Sequence, residues 1–261
     1  MKDFLMDVIK EAGECTLEFR KNLGSLDVER KSKKDLVTEA DKATEDLIRQ
    51  RISERYPSHC ILGEEGGEVG SSAERWIVDP IDGTASFVHG QPYYSVSMAF
   101  EKDGEVLLGA VYAPALDELY VAEKGKGAFL NGVAITKSPT RDLEQAIMAT
   151  GFACLRSELA RTNLPYLNAL LPQMRDMRRL GSAALDLCYV AAGRLEGFWE
   201  LNLNLYDVAA GMLVVEEVGG KCTDFSGAPV SDCMEILVTN ALIHDRVVDI
   251  FKGVMEQEEH G

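Results

Sequence analysis

The sequence predicts an α+β chain folded as one continuous unit, and three features carry that prediction. An amphipathic helical pattern opens the chain, a meander of alternating strands fills its middle, and helices and strands alternate through the remainder. With 261 residues, 46% of them apolar, the chain can bury a substantial core without a disulfide or a metal. No repeat, low-complexity tract or break in composition marks a linker. Residues 1–261 therefore read as a single domain, with sub-halves at about 1–140 and 141–261.

Phe4, Leu5, Val8, Ile9, Ala12 and Phe19 share one helical face, which predicts a helix over residues 3–21. The basic run at residues 30–34 reads as a solvated loop. Thr38-Glu-Ala-Asp41 has the spacing of a capping box, with Asp where Glu is usual, and opens a helix that Pro57 stops near Tyr56. Residues 60–62 and 76–78 are short apolar runs that read as strands delivering carboxylates at their ends. The meander spans 94–135, with turn signals at 102–104 and at Asn131-Gly132. Residues 146–150 predict a strand, and 155–174 predict mostly helix with an interruption at Pro165. Ser182 begins a helix that Gly193 can end in a left-handed C-cap. A strand at 197–201, a helix opened by Asp207 and closed by Gly219-Gly220, a strand at 236–239 and a helix at 244–255 complete the chain.

The 43 acidic residues outnumber the 27 basic ones and leave a net charge of −16. Such a surface repels phosphate backbones and anionic headgroups, which disfavours general nucleic-acid or membrane-surface binding. The first residues lack the apolar core and cleavage site of a signal peptide, and no apolar run approaches the roughly 20 residues of a membrane helix, so a cytoplasmic protein is expected. Cys15, Cys60, Cys154, Cys188, Cys222 and Cys233 form no Cys-x-x-Cys pair and read as small hydrophobes in a reducing compartment. Trp76 and Trp199 read as packing residues.

Four groups of acids stand at element boundaries: Asp41, Glu64-Glu65, Asp79-Pro80-Ile81-Asp82 and Asp207. Asp79 and Asp82 flank a Pro-Ile pair on what reads as a rigid turn, and their mutual repulsion calls for a cation. With oxygen donors only, that cation is hard: Mg²⁺, with Mn²⁺ or Ca²⁺ as competitors, and more than one ion suits several clusters. Gly83-Thr84-Ala85-Ser86-Phe87 follows at once as a small-residue turn into a helix, a setting for phosphate oxygens. Acids, metals and an anion cradle without a Walker lysine point to hydrolysis of a phosphate monoester.

Six motifs in order carry a family resemblance: Asp35-Leu-Val-Thr-Glu-Ala-Asp41, Gly63-Glu-Glu65, Trp76-Ile-Val-Asp-Pro-Ile-Asp-Gly-Thr84, Phe87-Val-His-Gly90, Gly181-Ser-Ala183 and Tyr206-Asp-Val-Ala-Ala-Gly211. The set resembles the inositol monophosphatase family of Mg²⁺-dependent, lithium-sensitive phosphatases, within a superfamily that also holds fructose-1,6-bisphosphatases. The resemblance implies a layered αβαβα sandwich, usually a homodimer, using two or three Mg²⁺ ions. Carried over, it makes Glu64, Asp79 and the Ile81 carbonyl ligands of one ion and Asp79, Asp82 and Asp207 ligands of a second, with Glu64 serving a third. Thr84, paired with Asp41, orients and deprotonates the attacking water in this pattern, with Glu64 in the catalytic set. The Gly83 and Thr84 amides hold phosphate, and Asp82, Ala183, Glu200 and Asp207 contact substrate hydroxyls. Glu200, seven residues before Asp207, matches the inositol-phosphatase pattern and favours a phosphorylated polyol or sugar.

The sequence departs from many relatives at Ala85-Ser86, at Tyr206 and at Gly66-Gly67, and the glycine pair is expected to loosen its loop. Asp41 suits both a cap and a catalytic group, Glu65 tunes the field, and His89 reads as a rim residue. Lys31 and Lys33 lie on a loop that approaches the metal site in this family. The resemblance favours hydrolysis of inositol 1-phosphate. The enzyme alternative is a fructose-1,6-bisphosphatase or a dual-specificity sugar or nucleotide phosphatase, left open by Arg156, Arg161, Arg175, Arg178 and Arg179. The non-enzymatic alternative is a regulatory docking protein for transcription machinery.

Overall fold

The computed structural model describes residues 1–23, 28–30, 36–157, 159–231 and 234–260. Lys31, Lys33, Asp35 and Cys233 lie outside the described residues, as does the Arg156 side chain. A short antiparallel pair, β1 (Val28–Arg30) and β2 (Leu36–Thr38), leads into the body.

Two sheets and three helical layers form the αβαβα stack that the resemblance implies. Among the described residues the larger sheet has eight strands, in the order β10 (Val133–Ala134), β9 (Ala128–Leu130), β8 (Glu118–Glu123), β7 (Glu105–Ala113), β6 (Ser95–Lys102), β5 (Glu74–Asp82), β3 (Cys60–Gly63) and β4 (Gly67–Val69). The smaller has five, ordered β12 (Asp176–Arg178), β11 (Ile147–Thr150), β13 (Gly197–Leu201), β15 (Glu235–Thr239) and β14 (Lys221–Thr223). Helices α1 (Lys2–Arg20) and α2 (Glu39–Arg55) cover the outer face of the larger sheet, where Leu5, Ile9, Ile48 and Ile52 pack on Trp76, Val78 and Met98. Helices α6 (Ala183–Ala191) and α7 (Leu205–Glu217) lie between the sheets, joining Ile77 and Val111 on one side to Phe198 and Val238 on the other. Helices α5 (Leu164–Leu170) and α8 (His244–His260) close the stack over Trp199, Leu237 and Phe225. Two short helices, α3 (Thr84–Val88) and α4 (Ala153–Arg156), follow strands β5 and β11.

The central layer sits close to the sheet because Gly109 allows it: a Cβ there would come within 2.9 Å of the Ala210 carbonyl oxygen. Both tryptophans are fully buried, and so are Cys154 and Cys188, as packing roles predict. Pro165 starts α5 instead of interrupting a longer helix, since a proline in the first turn loses no intrahelical bond. The expected helix at 155–174 is therefore split into α4, α5 and a 3₁₀ turn at Leu171–Gln173. Helix α7 is capped by Asn204, and Asp207 stands three residues inside it instead of opening it. No helix among the described residues is long and apolar enough to cross a membrane.

Candidate metal and phosphate site

The acids of β5 converge through a break in register. Trp76 and Val78 face α1 and α2 while Ile77 faces the central helices, so alternation turns Asp79 inward. Three residues further, Asp82 would point outward in a regular strand. Opposite β6, however, Asp79 pairs with Ser97 and Asp82 with Ser95, so three steps on β5 match two on its partner. The extra residue is a bulge at Pro80-Ile81, where a proline without an N–H breaks no further ladder bond. Both carboxylates now face the same way, by a bulge within the strand and not by a turn after it.

Other elements complete the cluster. Ligand oxygens of Asp79, Asp82 and Asp207 lie within 4.8 Å of one another. Glu64 follows β3, and its N–H donates to the Val78 carbonyl at 3.2 Å, which extends the parallel ladder and seats Glu64 beside Asp79. Burial raises the fully buried Asp79 carboxyl well above its ordinary range, and the charges of Glu64, Asp82, Asp207 and Asp41 raise it further. Asp207 is pushed up to about 8, first by burial and then by Asp82, against a 2.6 Å bond from the Asn204 N–H. Carboxylates gathered this tightly hold protons at neutral pH unless a cation takes their place. The donor set consists of hard oxygens, which fits a divalent ion of the Mg²⁺ type.

Asp82 is fixed from the second half of the chain. Its Oδ2 accepts from Ser182 Oγ at 2.6 Å and from the Ala184 N–H at 2.7 Å, at the start of α6. Ser182 also caps that helix by accepting from the Leu185 N–H at 3.2 Å. Because its single proton goes to Asp82, the 3.0 Å contact with Ser95 Oγ is donated by Ser95.

Asp41 is fully buried and divides its oxygens between two tasks. Oδ2 accepts from the Thr38 N–H at 2.8 Å and from Thr38 Oγ1 at 2.6 Å, closing the capping box of α2. Oδ1 accepts from Thr84 Oγ1 at 3.2 Å, and the same hydroxyl lies 3.2 Å from the Ile81 carbonyl oxygen. Burial lifts the Asp41 pKa to about 6, with Glu65 adding to the rise and the Thr38 and Thr84 bonds opposing it.

Gly83 caps α3 at φ +93°, and a Cβ there would lie 2.9 Å from the Gly181 carbonyl oxygen, so glycine is required twice over. Ser86 Oγ donates to the Leu180 carbonyl at 3.4 Å, which ties the departure at Ala85-Ser86 to the loop ahead of α6. Ala183 begins α6 beside Asp82, and Glu200 on β13 is buried with Oε1 accepting the Ala153 N–H at 2.8 Å. His89 is exposed after α3. The Gly66-Gly67 turn is not loose: the Gly66 N–H donates to Glu45 at 2.7 Å, and Arg49 donates to the Gly67 carbonyl at 2.5 Å. Two acids went unmarked by sequence reasoning. Glu45 is buried on α2, and Asp186 is buried on α6, raised well above its ordinary range by burial and then by Glu200 and Asp82. An Asp within the apolar stretch Ala183-Ala-Leu-Asp-Leu-Cys188 was the available signal for the second.

A family profile described as the inositol monophosphatase family matches residues 1–255. The chain belongs to the inositol monophosphatase family. It is 40% identical over 225 residues to an inositol-1-monophosphatase of Rhizobium meliloti, covering 85% of each chain. It is 39% identical over 229 residues to the Nus factor SuhB of Vibrio cholerae, covering 87% of this chain and 86% of that one. The solved Thermotoga maritima IMPase superposes with a TM-score of 0.88 at 38% identity over 98% of both chains. Membership of the inositol monophosphatase family supports phosphatase chemistry, and the family's dependence on metal accords with the acidic cluster of this chain.

Proposed function

We propose that the protein is a Mg²⁺-dependent phosphomonoesterase that hydrolyses inositol 1-phosphate to inositol and phosphate. The observation that carries this reading is the convergence of Asp79, Asp82 and Asp207 beside a Thr84–Asp41 pair. In this reading Glu64, Asp79 and the Ile81 carbonyl hold one ion, Asp79, Asp82 and Asp207 a second, and Glu64 serves a third. Bound Mg²⁺ would lower the pKa of water and stabilise the leaving alkoxide. The chain supplies the rest. A threonine hydroxyl is too weak a base alone, so Thr84 accepts the water's proton as its own passes to Asp41. The Gly83 and Thr84 amides hold the phosphate, while Asp82, Ala183, Glu200 and Asp207 select the polyol hydroxyls. The reading also includes a cytoplasmic homodimer.

Phosphate release from inositol 1-phosphate, with and without Mg²⁺, tests the proposal. Turnover by the wild type no faster than by Asp82→Asn overturns it. A panel that adds fructose 1,6-bisphosphate and 3′-phosphorylated nucleotides separates the enzyme alternatives. For a bisphosphate, Arg179 lies beside the loop ahead of α6, since a Cβ on Gly181 would lie 3.1 Å from its Nη1. Arg161 and Arg178 are instead paired with Glu235 and Asp176. Relatives bearing the name Nus factor favour a second reading, in which the surface also docks transcription machinery. That role predicts a pull-down of transcription proteins that survives Asp79→Asn.

A further inference from the structure

We propose that Glu45 is a positioning residue for the metal site, holding the turn that carries Glu64 in register with Asp79. The inference rests on the metal-dependent reading above.

Glu45 is only 2% exposed, and both its oxygens are used. Oε1 accepts from the Gly66 N–H and from Arg49 Nε, each at 2.7 Å, and Oε2 accepts from the Glu65 N–H at 2.8 Å. Arg49 reaches past it to the Gly67 carbonyl at 2.5 Å. Helix α2 thus grips the three residues after Glu64, while the Glu64 N–H is held by Val78 of β5. Gly63 and Gly66 flank the acid pair and leave room for this grip. A Cβ on Gly63 would fall within 2.6 Å of both Glu45 and Arg49, and one on Gly66 within 2.9 Å.

Glu45 stands four residues after Asp41, on the same face of α2. One rigid helix therefore presents one carboxylate to Thr84 and another to the Glu64 turn, which fixes the separation of the two functional acids. Charged acceptors of backbone N–H groups are strong anchors, and residues that orient metal ligands typically set affinity by about 10- to 100-fold. Glu45→Gln keeps the shape but turns an NH₂ group toward a backbone N–H. Glu45→Asp keeps the charge but withdraws it by one methylene.

The test is calorimetric titration of the purified full chain with Mg²⁺ and Mn²⁺, for wild type, Glu45→Gln, Glu45→Asp and Arg49→Met. Chelator-treated samples are melted in parallel, and the Mg²⁺ dependence of inositol 1-phosphate turnover is measured. The expected result is a dissociation constant raised at least tenfold in Glu45→Gln and less in Glu45→Asp. Turnover should recover to within a few-fold of wild type at saturating Mg²⁺. A lowered melting temperature with metal affinity within twofold of wild type marks a brace only and overturns the proposal. If Glu45→Gln does not fold, Glu45→Asp and Arg49→Met decide: a dissociation constant raised more than twofold supports the proposal, and one within twofold of wild type overturns it. Wild-type protein that binds neither metal overturns the metal reading itself, a result distinct from unchanged affinity in the variants.

Discussion

At Asp41 a single carboxylate joins a helix cap to a candidate proton relay, one oxygen for each. Removing either end of the relay is expected to cost at least about 100-fold in kcat/KM, the lower range for a positioned acid–base group. Thr84→Ala and Asp41→Asn should each reach that loss, and the double variant should lose little more, since the two act as a unit. The pH dependence follows from burial. With its pKa held at about 6, Asp41 gains its proton as pH falls through that value, and it is the ionised form that accepts from Thr84. In the reading above, kcat/KM declines as pH falls to about 6 or below, no sooner, because bound cations favour the ionised form and move the decline to lower pH, and Asp41→Asn removes that contribution. Steady-state rates from pH 5 to 8 check it. The Thr38–Asp41 cap was legible, because it is written in a three-residue spacing. The contact between Asp41 and Thr84 was not, because 43 residues separate them and the family resemblance alone paired them. Glu45 was hidden for a plainer reason: nothing local marks which of 43 acidic residues is buried.

Among the elements, α6 contributes most through its first turn. Ser182→Ala removes the helix cap and the 2.6 Å bond to Asp82, with an expected destabilisation of about 1–2 kcal/mol. Asp82 then keeps the Ala184 N–H but loses its shorter partner, so Mg²⁺ affinity should fall as well. Thermal melts and metal titration of this variant measure the two effects separately. The start of α6 after Ser182 follows from a hydroxyl that caps it, and its end before Gly193 from a residue whose lack of a Cβ admits the left-handed conformation. Strand β5 was under-read, since a proline normally argues against a continuing strand, and here it occupies a bulge. Strands β4, β12 and β14 have three residues each, too few for a period-two pattern to declare itself. Asp207 looked like a helix opener because aspartate commonly caps; Asn204 does so instead, leaving the acid one turn inside.

Across the whole molecule, the site draws on α2, β3, β5 and α3 from the first half and on α6, α7 and β13 from the second. Its repulsion is a stability statement. An acid whose folded pKa is raised binds protons more tightly folded than unfolded, so its favourable contribution is present at low pH and is lost as pH rises through the folded value. For Asp207 the window runs from about 4 to about 8, and in chelator the wild type should lose stability across it relative to Asp207→Asn. Buried His244, held near 4 by desolvation, acts oppositely and disfavours the fold as pH falls below about 6.5; the variant comparison cancels that term. Mg²⁺ at 100 times its dissociation constant should restore about 2.7 kcal/mol to wild type and far less to Asp207→Asn. Melts at pH 5, 6.5 and 8 decide it. The five-layer stack was accessible through ordered motifs, whereas pairing between the sheets and the central helices arises from contacts distant in sequence. The dual duty of Asp41 has one further consequence. Any transient unravelling of the first turn of α2 also releases the partner of Thr84, so in the reading proposed above turnover would be coupled to a local opening equilibrium. Solvent exchange at the Ala40 and Asp41 amides would report how often the enzyme disarms itself.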